Sequence, residues 1–221
     1  MSQLDHPIVT ESFAIIDREI GSHQLDPQEY AIARRIIHST ADFQFKDLLA
    51  FSPDGILSGI SALQQQTPIV TDVSMVKMGI ANRVARTFGN PIVTAIEHAT
   101  TPDPGRTRTE TGMMHLVRQF PQAIFVIGNA PTALLALCEA IANPEVTERS
   151  RSQVTERSRG QVQPALIIGA PVGFVAVAEA KARLAETKVP QIRVLGRKGG
   201  SPVAAAIVNA LIGLAVEQGT P

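Results

Sequence analysis

Five short β-branched runs, each followed by a stretch of helical periodicity, constrain this chain more than any other feature of its sequence. The runs are Pro68-Ile-Val-Thr-Asp72, Pro91-Ile-Val-Thr-Ala-Ile96, Ala123-Ile-Phe-Val-Ile127, Ala165-Leu-Ile-Ile168 and Pro190-Gln-Ile-Arg-Val-Leu195. Runs of this length and branching read as buried strands. Met75 to Arg86, Thr109 to Phe120, Pro131 to Ala142, Phe174 to Thr187 and Ser201 to Glu217 carry apolar residues at helical spacing. Strand–helix alternation repeated five times means crossover connections and a parallel sheet covered on both faces. The expected fold class is α/β: a flavodoxin-like, doubly wound, five-stranded parallel sheet with helices on both faces. Glu11 to Ile20 and Pro27 to Ser39 add an N-terminal helical extension, and Phe43 to Gln66 reads as mostly helical.

A chain of 221 residues suits one domain spanning residues 1–221. The 20 cationic and 20 anionic side chains balance, which disfavours nonspecific nucleic-acid binding over a whole face. Of the cations 15 are Arg, the better fork for carboxylate and phosphate. Met1 to Glu11 has no apolar core and does not read as a signal peptide. The apolar stretch Ala204 to Val216 is too short to span a bilayer and reads as a buried helix, so no membrane partner is expected. A single cysteine, Cys138, suits a reducing compartment, and the expected location is the cytoplasm. Residues 146–161 hold a tandem repeat, Val-Thr-Glu-Arg-Ser-Arg-Ser-Gln followed by Val-Thr-Glu-Arg-Ser-Arg-Gly-Gln. It reads as a flexible insertion at about 145–162, in a helix-to-strand connection remote from the ligand edge of such a sheet.

That ligand edge carries Asp72 and three glycine-bearing loops: Gly128-Asn-Ala-Pro-Thr132, Gly169-Ala-Pro-Val-Gly-Phe174 and Gly196-Arg-Lys-Gly-Gly-Ser-Pro202. Glycine lets backbone approach a ligand, and helix starts offer N–H groups to anions, although tight turns need the same residues. No dinucleotide, P-loop or nucleophile-elbow signature is present. The five histidines show no i, i+4 pairing that would suggest a metal site. His38 stands at the end of a predicted helix after Ala33-Arg-Arg-Ile-Ile37. The helix dipole favours its charged form there, which suits proton transfer and equally suits a satisfied helix-end residue. Arg35 just before it, and Arg106 and Arg108 after the second strand, could bind an anion or simply be solvated.

Taken together, the motifs resemble the precorrin-8X methylmutase family, also called cobalt-precorrin-8 methylmutase. The resemblance rests on Ser12-Phe-x-Ile-Ile16, Arg35-Ile-Ile-His38 with Ala41-Asp42, Pro68-Ile-Val-Thr-Asp72 with Met75-Val76, Thr107-Arg108, Ile127-Gly-Asn-Ala-Pro-Thr-Ala-Leu134, Pro171-Val-Gly-Phe174 and Gly196-Arg-Lys-Gly-Gly-Ser201. It implies an isomerase of cobalamin biosynthesis. The reaction would move a methyl group from C-11 to C-12 of precorrin-8X, giving hydrogenobyrinate, or convert cobalt-precorrin-8 to cobyrinate, without a cofactor. It further implies His38 as the catalytic acid and Ser12, Arg35, Asp72, Arg108 and Ser201 around the tetrapyrrole substrate. A homodimer or higher homo-oligomer is implied as well. The rival of another class is a corrin-binding carrier without catalysis, which would need the Arg residues and glycine loops but no placed acid.

Overall fold

The computed structural model describes residues 6–143 and 162–219; the repeat at 146–161 lies outside the described residues. The chain opens with α1 (Pro7–Glu19) and α2 (Pro27–Thr40). α2 starts sharply because Asp26 accepts from Gln28 and Glu29 N–H, Glu29 reaches back to the Asp26 N–H, and Pro27 sits at the first helical position. It stops at Ala41, whose φ of 54° is left-handed. Then come α3 (Phe45–Leu48), β1 (Leu49–Phe51), α4 (Gly55–Gln64), β2 (Ile69–Thr71), α5 (Ser74–Ala85) and β3 (Ile92–Thr94). They are followed by α6 (Ala95–His98), α7 (Arg108–Gln119), β4 (Ile124–Ile127), α8 (Pro131–Ala142), β5 (Leu166–Gly169), α9 (Val177–Ala185), β6 (Gln191–Val194) and α10 (Ser201–Gly219).

Each of the five predicted runs holds a strand, but the sheet has six strands and is mixed. Its order is β1-β6-β5-β4-β2-β3. β1 corrects the all-parallel, five-stranded expectation, and it lies in the stretch read as mostly helical. It pairs antiparallel with β6, Ala50 opposite Arg193. The pairing is reinforced on both sides: Leu195 N–H donates to Leu48 O at 2.7 Å, and Ser52 exchanges two 2.9 Å bonds with Gln191. β1 thereby covers an edge of β6 that would otherwise present unpaired backbone groups.

Side chains alternate across the strands and divide the core in two. Ile69, Ile124, Val126, Leu166, Ile168 and Ile192 pack with α2, α4, α5 and α10. Val70, Phe125, Ile127 and Ile167 pack on the other side with α7, α8 and α9. α10 is long and apolar enough to cross a bilayer by length and composition, but it is mostly buried here against α2, α4 and α5. It comes very close to α5. A Cβ at Gly79 would stand 2.7 Å from Ala205 Cβ, so only glycine permits this crossing.

Candidate functional site

Two groups of predicted site residues emerge, at different places along α5 and α10. The first surrounds His38. Its imidazole lies in the last turn of α2, half-buried, and Ser12 on α1 approaches it with Oγ 2.7 Å from Nδ1. α1 is held to α2 by Asp17, which receives Arg34 at 3.0 Å and the Tyr30 hydroxyl. Burial and that carboxylate push the Tyr30 phenol up to about 12. The Phe13 ring meets His38 edge-on, 5.6 Å between centroids, and carries the Arg34 and Arg35 guanidinium groups at 4.5 and 5.5 Å from its centre. Aromatic faces attract cations, so Phe13 gathers positive charge beside the imidazole.

Beyond His38 opens a recess of about 310 Å³ between α2, α5 and α10. Its polar lining includes Arg35, His38, Asn82, Arg83, Arg86 and Asn209. Asn209 Nδ2 donates to Gly79 O at 3.0 Å, which fixes that carboxamide in the wall. Arg83, Arg86 and Asn82 were not singled out from sequence. Asn82 and Arg83 sit on α5 and Arg86 caps its end, and it is α10, packed against both α2 and α5, that brings them to His38. A larger recess of about 890 Å³ opens at the opposite, N-terminal end of the sheet, beside Pro68, Gln122, Gln163 and Pro190. No ionisable side chain is among its described lining residues, so it offers no chemistry of the kind the first recess does.

The second group lies at the C-terminal edge of the sheet. Asp72 is fully buried, and its carboxylate accepts four backbone N–H groups: Val73 at 2.9 Å, Gly128 at 3.1 Å, Asn129 at 2.7 Å and Ala130 at 2.7 Å. Burial pushes its carboxyl above the usual carboxylate range, against the opposite pull of those four donors. Asp72 thus ties the end of β2 to the β4–α8 loop. Ser201, also buried, starts α10 next to that loop: a Cβ on Gly128 would stand 2.9 Å from Ser201 Cα. Asn209, in the recess, lies about 12 Å further along α10, at about 1.5 Å per helical residue. Arg108 is exposed at the start of α7, and its Nε and Nη2 donate to Ala99 O at 3.1 Å and Ile96 O at 2.9 Å. The structure therefore places Ser12, Arg35 and His38 together and leaves Asp72, Arg108 and Ser201 outside that recess.

A strut connects the two groups. Lys181 on α9 is buried and donates to Gly196 O at 2.8 Å and Lys198 O at 2.7 Å, fixing the β6–α10 loop. Burial pulls its ammonium down to about 8. Lys198 in turn reaches Asp42 at 2.5 Å and Gln44 at 2.7 Å, just beyond the end of α2. That ammonium holds the Asp42 carboxyl below its usual range. The loop at the sheet edge and the helix end bearing His38 are thus joined.

An imidazole braced by a serine, a ring-held cluster of guanidinium groups and glycine-rich strand ends repeat the motifs named above in three dimensions. The family model for precorrin-8X methylmutase matches residues 7–214. The chain belongs to that family. A cobalt-precorrin-8 methylmutase of Synechocystis is 55% identical, covering 99% of this chain and 100% of that protein. A cobalt-precorrin-8 methylmutase of Leptospira interrogans is 35% identical, covering 99% and 98%. Among solved structures, the precorrin-8X methylmutase of Thermus thermophilus superposes with a TM-score of 0.81 at 39% identity, covering 97% of this chain and 100% of that one. As a precorrin-8X methylmutase family member the chain has a matched region that includes both residue groups and every strand.

Proposed function

We propose that this chain is an isomerase of cobalamin biosynthesis that moves a methyl group from C-11 to C-12 of a precorrin-8 macrocycle. The C-11–methyl bond breaks and the C-12–methyl bond forms within one molecule, so no external oxidant or reductant enters the balance. The Ser12–His38 contact of 2.7 Å carries this reading. With Nδ1 engaged by the Ser12 hydroxyl, Nε2 is the ring atom that lends a proton to the macrocycle near ring C during the shift and takes one back afterwards, so that the product remains an isomer of the substrate. An imidazole can both give and take a proton in such a transfer. Arg35 supplies positive charge for the substrate's carboxylate arms. Asp72, Ser201 and Arg108 shape the sheet-edge loops, and the substrate reaches these from the recess along α5.

The substrate is cobalt-precorrin-8 or precorrin-8X, and the cobalt form is the first to test, because the Synechocystis and Leptospira relatives bear that name. We read the chain as one domain in the cytoplasm, with the parallel strands β3-β2-β4-β5-β6 arranged in the flavodoxin-like order and β1 added at the edge. We also infer a homo-oligomer. The β5–α9 loop exposes Phe174 and Val175 by more than four-fifths of their surface, which suits burial against a second copy. Light scattering on the purified chain measures that assembly, and a monomer at micromolar concentration would refute it.

The activity test follows the visible spectrum of each substrate with wild type and a folded His38→Ala variant. Conversion by wild type, slowed about 100-fold or more in the variant, is the expected result for loss of a general acid. Equal rates would remove His38 from the mechanism. Binding without conversion of either substrate would make the chain a carrier.

A further inference from the structure

The recess beside His38 is smaller than the molecule it serves. Its volume of 310 Å³ stands at the foot of the range of about 300–1,000 Å³ for pockets that enclose drug-sized ligands. A tetrapyrrole with its acetate and propionate arms exceeds that, but one or two arms fit. The walls match such arms. Arg83 near the end of α5 and Arg86 at its C-cap lie about one turn apart, and both line the recess together with Arg35 of α2. Arg83 lies across a bare stretch of α10, where a Cβ on Gly213 would come within 3.3 Å of its Nη2.

The same helix offers a place for the ring. Met75, Met78, Gly79, Asn82 and Arg86 are all exposed and recur at helical spacing, so they form one stripe down α5 that ends on its C-cap, Arg86. Met75 and Met78 keep 69% and 73% of their surface in solvent at the end nearest the sheet edge. The other end of the stripe is cationic. A flat apolar macrocycle carrying carboxylate arms has the same division, and thioether side chains adapt well to such a face.

We propose that Arg83 and Arg86 bind carboxylate arms of the substrate in this recess and so set which arms must be free acids, while the ring lies outside it along the Met75–Met78 end of α5. The inference rests on the substrate reading above. A guanidinium forks onto a carboxylate through two charge-assisted bonds, whereas an amide offers one acceptor and a repelled N–H₂ group. Arms already converted to amides bind poorly here.

The test uses full-length Arg86→Gln, an exposed and fold-neutral change, with Arg83→Lys, which keeps charge and loses the fork. Each is assayed with the substrate that wild type converts, and by absorbance titration with the product as free acid and as its fully amidated derivative. We expect KM and product Kd to rise about 10- to 100-fold for each variant with kcat within threefold, the scale of one lost charge-assisted contact. We also expect the variants and wild type to bind the amidated product equally. Unchanged KM and Kd in variants of an active enzyme would overturn the inference and leave the function standing. A fall in kcat at constant KM would overturn it by assigning the two residues to the chemical step. Failure of wild type to bind or convert either precorrin would overturn the function, and the inference with it.

Discussion

Replacing Asp72 by Asn exchanges one oxygen for an N–H₂ group in the buried end of β2. Each carboxylate oxygen accepts two backbone N–H groups, Val73 and Gly128 on Oδ1, Asn129 and Ala130 on Oδ2. Whichever way the amide turns, two backbone donors then face a donor. A buried N–H left without an acceptor costs about 1–3 kcal/mol, so the pair costs about 2–6 kcal/mol. Removing a charge from a fully buried site relieves the desolvation that raises this carboxyl's pKa, and that relief works against the loss. The expected net destabilisation is about 3 kcal/mol, inside the range for breaking a buried hydrogen-bond network. Urea unfolding followed by circular dichroism reads it as a lower midpoint with an unchanged slope. Amide exchange at Asn129 and Ala130 should quicken beyond the global change, because the β4–α8 loop loses its anchor. A loss below about 1 kcal/mol would refute the reasoning, since surface-like changes stay within about 0.5 kcal/mol. It would mean that the four N–H groups do not depend on a carboxylate.

Lys181 gives a pH test. Its folded pKa of about 8 lies below the ordinary lysine value, so between about pH 8 and 10 the unfolded chain binds more protons and stability rises with pH. Lys181→Met should remove that rise; parallel pH–stability curves for the two proteins above pH 8 would contradict it. The Cys138 thiol, buried among the α8 side chains and pushed up to about 12, should react with a maleimide at pH 8 only on unfolding. Rapid labelling of the native protein would show that α8 opens locally.

The fold was legible where the signal was local and repeated. Strands β2 to β6 announce themselves as short β-branched runs bounded by turn residues, and Ile124 to Ile127, apolar and buried throughout, is the clearest of them. β1 was not legible. Three residues, Leu49-Ala-Phe51, are too few to show a period, and what makes them a strand is their pairing with Ile192, Arg193 and Val194, about 140 residues further along the chain. The helix predicted from Phe174 begins at Val177, because Gly173 at φ 137° and Ala176 at φ 57° break the turn before it. Ser12 was found through motif resemblance, whereas His38 stood out first as a histidine at a helix end and took the role of acid only from the resemblance. The network around Asp72 is made of backbone N–H groups, which every residue owns and no sequence pattern displays. Arg83 and Arg86 look like solvated residues at a helix end until α10, packed on both α2 and α5, closes the recess that they line.

The recess draws its walls from elements far apart in sequence. α2 finishes at Thr40, while α10 starts only at Ser201, and β1 finds its partner β6 across a similar separation. Contacts so distant in sequence close slowly and late in folding. During synthesis His38 emerges well before α10, and it has no cleft to serve until α10 has followed it. A nascent or truncated chain ending before residue 201 therefore carries the acid without the wall that faces it. Such a chain leaves the apolar faces of α2 and α5 uncovered, a species prone to aggregation. The site is complete only once α10 has been made and packed.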